Sequence, residues 1–253
     1  MPDYEIIEVN GVERHLGLLP TPTHIRKLYK AASDVVPSIP ESQWQEIYSR
    51  NLVRVTLNQG NQGACVGFSG VQAVMIARER IGLPFVELSG GSLYGQINGG
   101  RDSGANLGDA LIALQQVGCT SAETIAQSDW RSAYRMSLAA QAEAANYRID
   151  ERYVCKSVDE FFSGIQLGFA GQWGVSAGGS FSPDSQGYVP GSRGDINHAV
   201  VGCGMHKDTR GQWWLEAWNS LGSNWGLNGR FFYPIDSVAE DENWLIRSTI
   251  IAP

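Results

Sequence analysis

Asn58-Gln59-Gly60-Asn61-Gln62-Gly63-Ala64-Cys65-Val66-Gly67-Phe68-Ser69 is the stretch on which the fold turns. Its glycines make a tight turn. From Cys65 onward Phe68, Val71, Val74 and Met75 recur at three- and four-residue spacing, which predicts a helix over 65–81. Gly82 and Pro84 end it. The turn thus delivers a cysteine to the start of a helix, where the partial positive charge of the N-terminus favours the thiolate, the reactive form. An isolated cysteine is equally well read as a small buried core residue. A nucleophile needs a base, so the rest of the chain has to decide between the two.

A base stands 133 residues on, in Asp195-Ile196-Asn197-His198-Ala199-Val200-Val201-Gly202. Here a polar turn leads into an apolar strand, and the imidazole sits at the strand entrance. His15 and His24 fall in the irregular beginning of the chain, and His206 lies beyond the same strand near a turn. Asn219 ends the next apolar run, in Glu216-Ala217-Trp218-Asn219-Ser220-Leu221-Gly222, where its carbonyl is able to accept from the imidazole and fix the tautomer. Each of these residues also has a plain structural reading, a solvated histidine and a turn asparagine. The combined spacing carries the argument. Cys65 rather than Cys119, Cys155 or Cys203 is therefore expected to be the reactive thiol.

These segments resemble the papain family of cysteine peptidases, in the form found in bacterial and viral relatives, whose histidine and asparagine follow the nucleophile by about 130–150 residues. The resemblance implies Cys65 as nucleophile, His198 as base and Asn219 as the residue holding that base. It also implies Gln59, six residues before Cys65, as an oxyanion donor together with the Cys65 backbone N–H. The run Asn219-Ser220-Leu221-Gly222-Ser223-Asn224-Trp225-Gly226-Leu227-Asn228-Gly229 resembles the family's Asn-Ser-Trp-Gly and Trp-Gly-x-Asn-Gly segments, and implies that Trp225 lines the leaving-group side of a cleft. Asp102-Ser103-Gly104-Ala105-Asn106-Leu107 resembles the loop that pairs with substrate backbone, with Gly104 as the contact. The chain departs from the pattern at Gln62, where the family has a disulfide cysteine, at Val66, and at Leu221, where a tryptophan shields the Asn–His bond. Two alternatives stay open. One is a related amidase or acyl-transfer enzyme using the same groups. The other is a weakly active or inactive structural or binding module in a larger assembly such as a phage particle.

Composition sets the frame for these motifs. With 253 residues, 43% of them hydrophobic and 18% charged, the chain buries a sizeable core. A net charge of −7 argues against nucleic-acid binding, which needs a basic surface. No run of about 18 apolar residues predicts a membrane span. The first residues lack the basic start and apolar stretch of a secretory signal. Four widely spaced cysteines with no C-x-x-C pair read as reduced thiols, without a disulfide framework or metal site. The expected partner is a peptide or protein substrate, with no cofactor, nucleic acid or membrane, in the cytoplasm or a virion.

Along the chain, Pro20, Pro22, Pro37 and Pro40 break up the first forty residues, read as an extended arm over 1–36. Residues 106–117 and 129–146 read as helical, and Ser157 with Glu160 as a capping box. Short Val-, Ile- and aromatic-rich segments at 173–177, 198–205, 212–219, 229–234 and 244–251 read as strands. Helices first and strands last give an α+β protein. With the resemblance this becomes a papain-like two-lobe domain over 37–253. Its helical lobe covers about 60–150 and its antiparallel β-rich lobe about 151–253, with the site in the cleft between them.

Overall fold

The computed structural model describes residues 5–9, 11–178, 181–192 and 194–247. The N-terminal forty residues are more structured than their prolines suggest. β1 (Glu5–Val9) and β2 (Val12–Leu16) pair as an antiparallel hairpin, and α1 (Thr23–Arg26) adds one helical turn. The expectation of an irregular arm over 1–36 is corrected on this point: Gly11, at φ 75°, supplies the left-handed backbone that a two-residue hairpin turn demands.

α2 (Cys65–Arg80) is the central element, buried from Cys65 through Arg78. Apolar neighbours on every side explain why its sequence has no polar face. α3 (Gly90–Ile97) and α4 (Leu107–Gln116) pack against it, α5 (Trp130–Tyr134) packs on α3, and α6 (Leu138–Ala144) follows. Asn106 caps α4 by accepting the Asp109 N–H, and Gly118 follows its end at φ 91°.

The second half builds one six-stranded sheet: β3 (Glu151–Val154), β4 (Ala170–Val175), β5 (His198–Lys207), β6 (Trp213–Trp218), β7 (Arg230–Pro234) and β8 (Asn243–Arg247), with α7 (Val158–Gln166) between β3 and β4. The strand order is β3-β8-β4-β5-β6-β7, and every neighbouring pair is antiparallel. Ser157 caps α7 by accepting the Glu160 N–H, but the Glu160 carboxylate returns to the Lys156 N–H rather than to Ser157, so the capping box is displaced by one residue.

Both faces of the sheet are covered. Ala199, Val201 and Cys203 of β5 join the core of the helical side, whereas Val200 joins Trp173, Phe161 and Leu215 in a second core under α7. That double burial makes β5 a continuous apolar run instead of an alternating one. The result is an α+β fold in which the start of α2 abuts the start of β5.

Candidate active site

Cys65 is the first residue of α2, and no side chain caps that helix end. The first-turn N–H groups are therefore left for the sulfur or a ligand. The thiol is completely buried, which pushes its pKa up to about 11. The backbone N–H groups of Ala199, Gly17, Val66 and Cys65 itself act in the opposite direction by favouring the thiolate.

His198 opens β5 and is equally buried. Its Nε2 lies 2.8 Å from Asn219 Oδ1. The same oxygen accepts the Ser220 N–H at 2.8 Å, which identifies it as the acceptor end of the amide. Nε2 therefore carries the hydrogen, and Nδ1 presents its lone pair. Nδ1 has no hydrogen-bond partner among the described residues. This is the tautomer that a proton acceptor requires. Burial pulls the imidazole down to about 4, opposed by the Asn219 hydrogen bond. At neutral pH the thiol and imidazole are thus both uncharged in this closed state.

Gln59, 1% exposed, is locked from two sides. Its Oε1 accepts the Ser220 hydroxyl at 2.5 Å, and its Nε2 donates to the carbonyls of Gln62 at 2.8 Å and His15 at 3.0 Å. The sequence thus brings Gln59, Cys65, His198 and Asn219 into one neighbourhood.

The occupant of that neighbourhood was not foreseen. Residues 15–21 run between the helical side and the sheet. Leu18 N donates to Asn197 O at 3.0 Å, Ala105 N to Gly17 O at 2.9 Å, and Leu19 N to Ala105 O at 2.9 Å. Thr21 donates both its N–H and its hydroxyl to the Glu242 carboxylate at 2.7 Å, while its oxygen accepts the Gly108 N–H at 3.3 Å. Arg14 holds the segment's other end by donating to Asn58 Oδ1 and to the carbonyls of Gly60 and Leu221. The arm therefore bridges both walls and covers the thiol. The legible signal was Asn10-Gly11 between two segments of alternating character, the strongest short hairpin pattern; nothing in the sequence said where the hairpin would dock.

Gly104 and Trp225 sit differently from the other four. Gly104 has φ 84°, and a Cβ there would come within 2.5 Å of Gly17 O, so its lack of a side chain makes room for the arm's backbone. The pairing itself is made by Ala105. Trp225 is 2% exposed and stacks on Phe181 at 5.4 Å; Phe181 in turn lies 6.1 Å from the His198 ring, edge-on. It supports the wall behind the histidine instead of facing an open cleft. All four cysteines are free thiols. Burial raises Cys119, Cys155 and Cys203 too.

No protein-family model matches the chain, and no curated protein is similar to it in sequence. Solved structures are similar in fold. Xylellain, a cysteine protease from Xylella fastidiosa, superposes with a TM-score of 0.69 at 20% identity, covering 92% of this chain and 96% of the other. Digestive procathepsin L 3 of Tenebrio molitor gives 0.66 at 17% identity over 88% and 76% of the two chains. Bromelain from Ananas comosus, in complex with the E64 inhibitor, gives 0.58 at 18% identity over 81% and 99%. The fold is that of the papain-like cysteine proteases. No helix of the described residues is long and apolar enough to cross a membrane.

Proposed function

We propose that the chain is a papain-like cysteine peptidase, of the bacterial and viral type, whose cleft is held shut by its own N-terminal arm. The observation that carries this reading is a cysteine at an uncapped helix start, meeting the backbone N–H of the residue after His198, together with a His198 whose free Nδ1 is set by Asn219. In the reaction, His198 Nδ1 takes the Cys65 proton and Sγ attacks the carbonyl carbon of a peptide or protein substrate. The negative charge that develops on the carbonyl oxygen is received by the Gln59 amide and the Cys65 N–H. Collapse breaks the C–N bond, and His198 returns the proton to the departing amine. Water, deprotonated by His198, then attacks the thioester and frees the acid. Gly104 gives the substrate backbone room along the helical wall, and Trp225 backs the histidine side. No cofactor, nucleic acid or membrane enters this chemistry, and a cytoplasmic or virion setting belongs to the same reading.

Two features support closure. Gln59 Nε2 already donates to an arm carbonyl, and the sulfur meets the Gly17 N–H, a donor and not an electrophile. Substrate enters only after residues 15–21 leave. The same closure favours a second reading, a related module retained for binding.

Labelling by an epoxide thiol inhibitor separates the two. The peptidase reading expects the epoxide on Cys65 and hydrolysis of a denatured protein substrate. His198→Ala abolishes turnover, Asn219→Ala reduces it, and Gln59→Ala lowers kcat by about 10²-fold. Turnover by His198→Ala equal to that of the parent, or labelling of another cysteine first, sinks the assignment.

A further inference from the structure

β4 carries a residue that the apolar character of its surroundings does not explain. Gln172 is completely buried, between Gly171 and Trp173 in the middle of the sheet. Its backbone pairs with Val201 of β5 on one side and Trp244 of β8 on the other. Its side chain leaves the sheet and ends at the first turn of α2. Nε2 donates to Ser69 Oγ at 2.8 Å and to the Val66 carbonyl at 3.2 Å. Ser69 Oγ in turn donates to the carbonyl of Cys65 at 2.8 Å.

The proton count closes. The amide nitrogen has two hydrogens and two acceptors, and the hydroxyl has one hydrogen, used on Cys65 O. The remaining atom, Oε1, is buried and has no partner among the described residues. Turning the amide over would aim that oxygen at the Val66 carbonyl, so the present orientation is the one that serves the helix. An unpartnered buried acceptor is costly, and a methionine of similar volume would avoid it. The cost is tolerated where the nitrogen end has work to do.

We propose that Gln172 is a positioning residue for Cys65. Through Ser69 and Val66 it ties the first turn of α2 to the sheet whose next strand begins with His198, and so sets the separation between thiol and imidazole. The proposal rests on the peptidase reading only in naming Cys65 the nucleophile. A low-dielectric surrounding strengthens such a chain of hydrogen bonds, and loss of one link loosens the rest. Displacements of an ångström at a reacting pair cost large factors in rate without touching substrate contacts.

The test compares full-length wild type with Gln172→Met, Ser69→Ala, Ser69→Thr and the double Gln172→Met/Ser69→Ala. Each is read by kcat, KM and the pH profile of Cys65 alkylation, with thermal unfolding as the fold check; the arm covers the thiol equally in all, so it cancels in the ratios. Gln172→Met is expected to keep KM within about twofold and to lower kcat by about 10-fold. Its alkylation profile should shift away from that of wild type, since thiol and imidazole no longer hold their set separation. Ser69→Ala should reproduce this, Ser69→Thr should restore it, and the double variant should be no worse than either single, since the two act through one chain. Gln172→Met with a changed melting temperature but wild-type kcat and alkylation profile would overturn the proposal, as would additive effects in the double variant. If wild type itself turns nothing over, the peptidase reading fails, and the alkylation profiles still decide the role of Gln172.

Discussion

The N-terminal forty-odd residues fall into two halves held by different balances of hydrogen bonding and apolar burial. Residues 12–21 reach the body through many hydrogen bonds, from Arg14, His15, Gly17, Leu18, Leu19 and Thr21 to partners on both walls, and bury two apolar side chains, Leu16 and Leu18. Residues 29–44 are part of the core. Tyr29 meets Trp244 edge-on at 4.6 Å, Ala31 pairs with Val154, Ala32 and Val36 are buried, and Trp44 lies 5.1 Å from Phe162 and 5.8 Å from Trp213. Hydrogen bonds to protein exchange for hydrogen bonds to water at a small net cost, whereas buried apolar area has no substitute in solvent. Release would therefore cost the first half its hydrogen bonds and two buried leucines, less apolar burial than the second half would lose.

The largest expected effect falls on the anchored half. Trp44→Ala should destabilise the protein by about 3–5 kcal/mol, because it empties an aromatic cluster. Val12→Ser on the exposed hairpin should stay within about 0.5 kcal/mol. Chemical denaturation measures both, and similar midpoints would erase the distinction between the halves.

A pH series sharpens it next. In the closed state His198 titrates near 4, below the ~6.5 of a solvated histidine, so protons bind the open state first. The closed state's advantage from this group is complete above about 6.5 and is lost as pH falls toward 4, by about 3 kcal/mol in all. Cys65 works on the other limb. Its value of about 11 lies above the ordinary ~8.5, so its contribution holds below about 8.5 and fades as pH rises toward 11. Hydrogen-exchange protection of the Gly17 and Leu18 amides should be greatest between about 6.5 and 8.5. Equal protection at the acid end would mean that closure does not bury the histidine.

The smallest effect belongs to a single knot. Thr21→Val keeps the volume but removes the hydroxyl shared by Glu242 and Gly108. A hydrogen bond to a charged group contributes about 1.5–3 kcal/mol, so Cys65 alkylation should accelerate by at least about 10-fold with global stability little changed. An unchanged alkylation rate would place the opening elsewhere along the arm.

Much of the helix pattern was legible. α2 and α4 announce themselves by apolar spacing and by Gly82, Asn106 and Gly118 at their ends. α3 does not, because it starts with Gly90-Gly91 and holds Gly95, residues that disfavour an isolated helix. Packing overrides that propensity: a Cβ on Gly90 would lie 2.5 Å from the Phe68 ring, and one on Gly95 would lie 2.0 Å from the Trp130 carbonyl. Gln172 escaped for a related reason. A glutamine inside an apolar run carries no sign of which face it takes, and its partners Val66 and Ser69 lie more than a hundred residues away.

By itself the sequence determined the local events: a cysteine delivered by a glycine turn to a helix start, a histidine at a strand entrance, an asparagine at a strand end. Those follow from nearest-neighbour chemistry, which composition and spacing encode. Only the tertiary structure decided that Asn219 fixes the free nitrogen of His198, that Gln172 reaches the first turn of α2, and that residues 15–21 lie across the thiol. Each of these is a contact between distant segments. It is set by how the helices and the sheet pack, and backbone hydrogen bonds such as Leu18 to Asn197 use groups that every residue carries, so they leave no mark in the sequence.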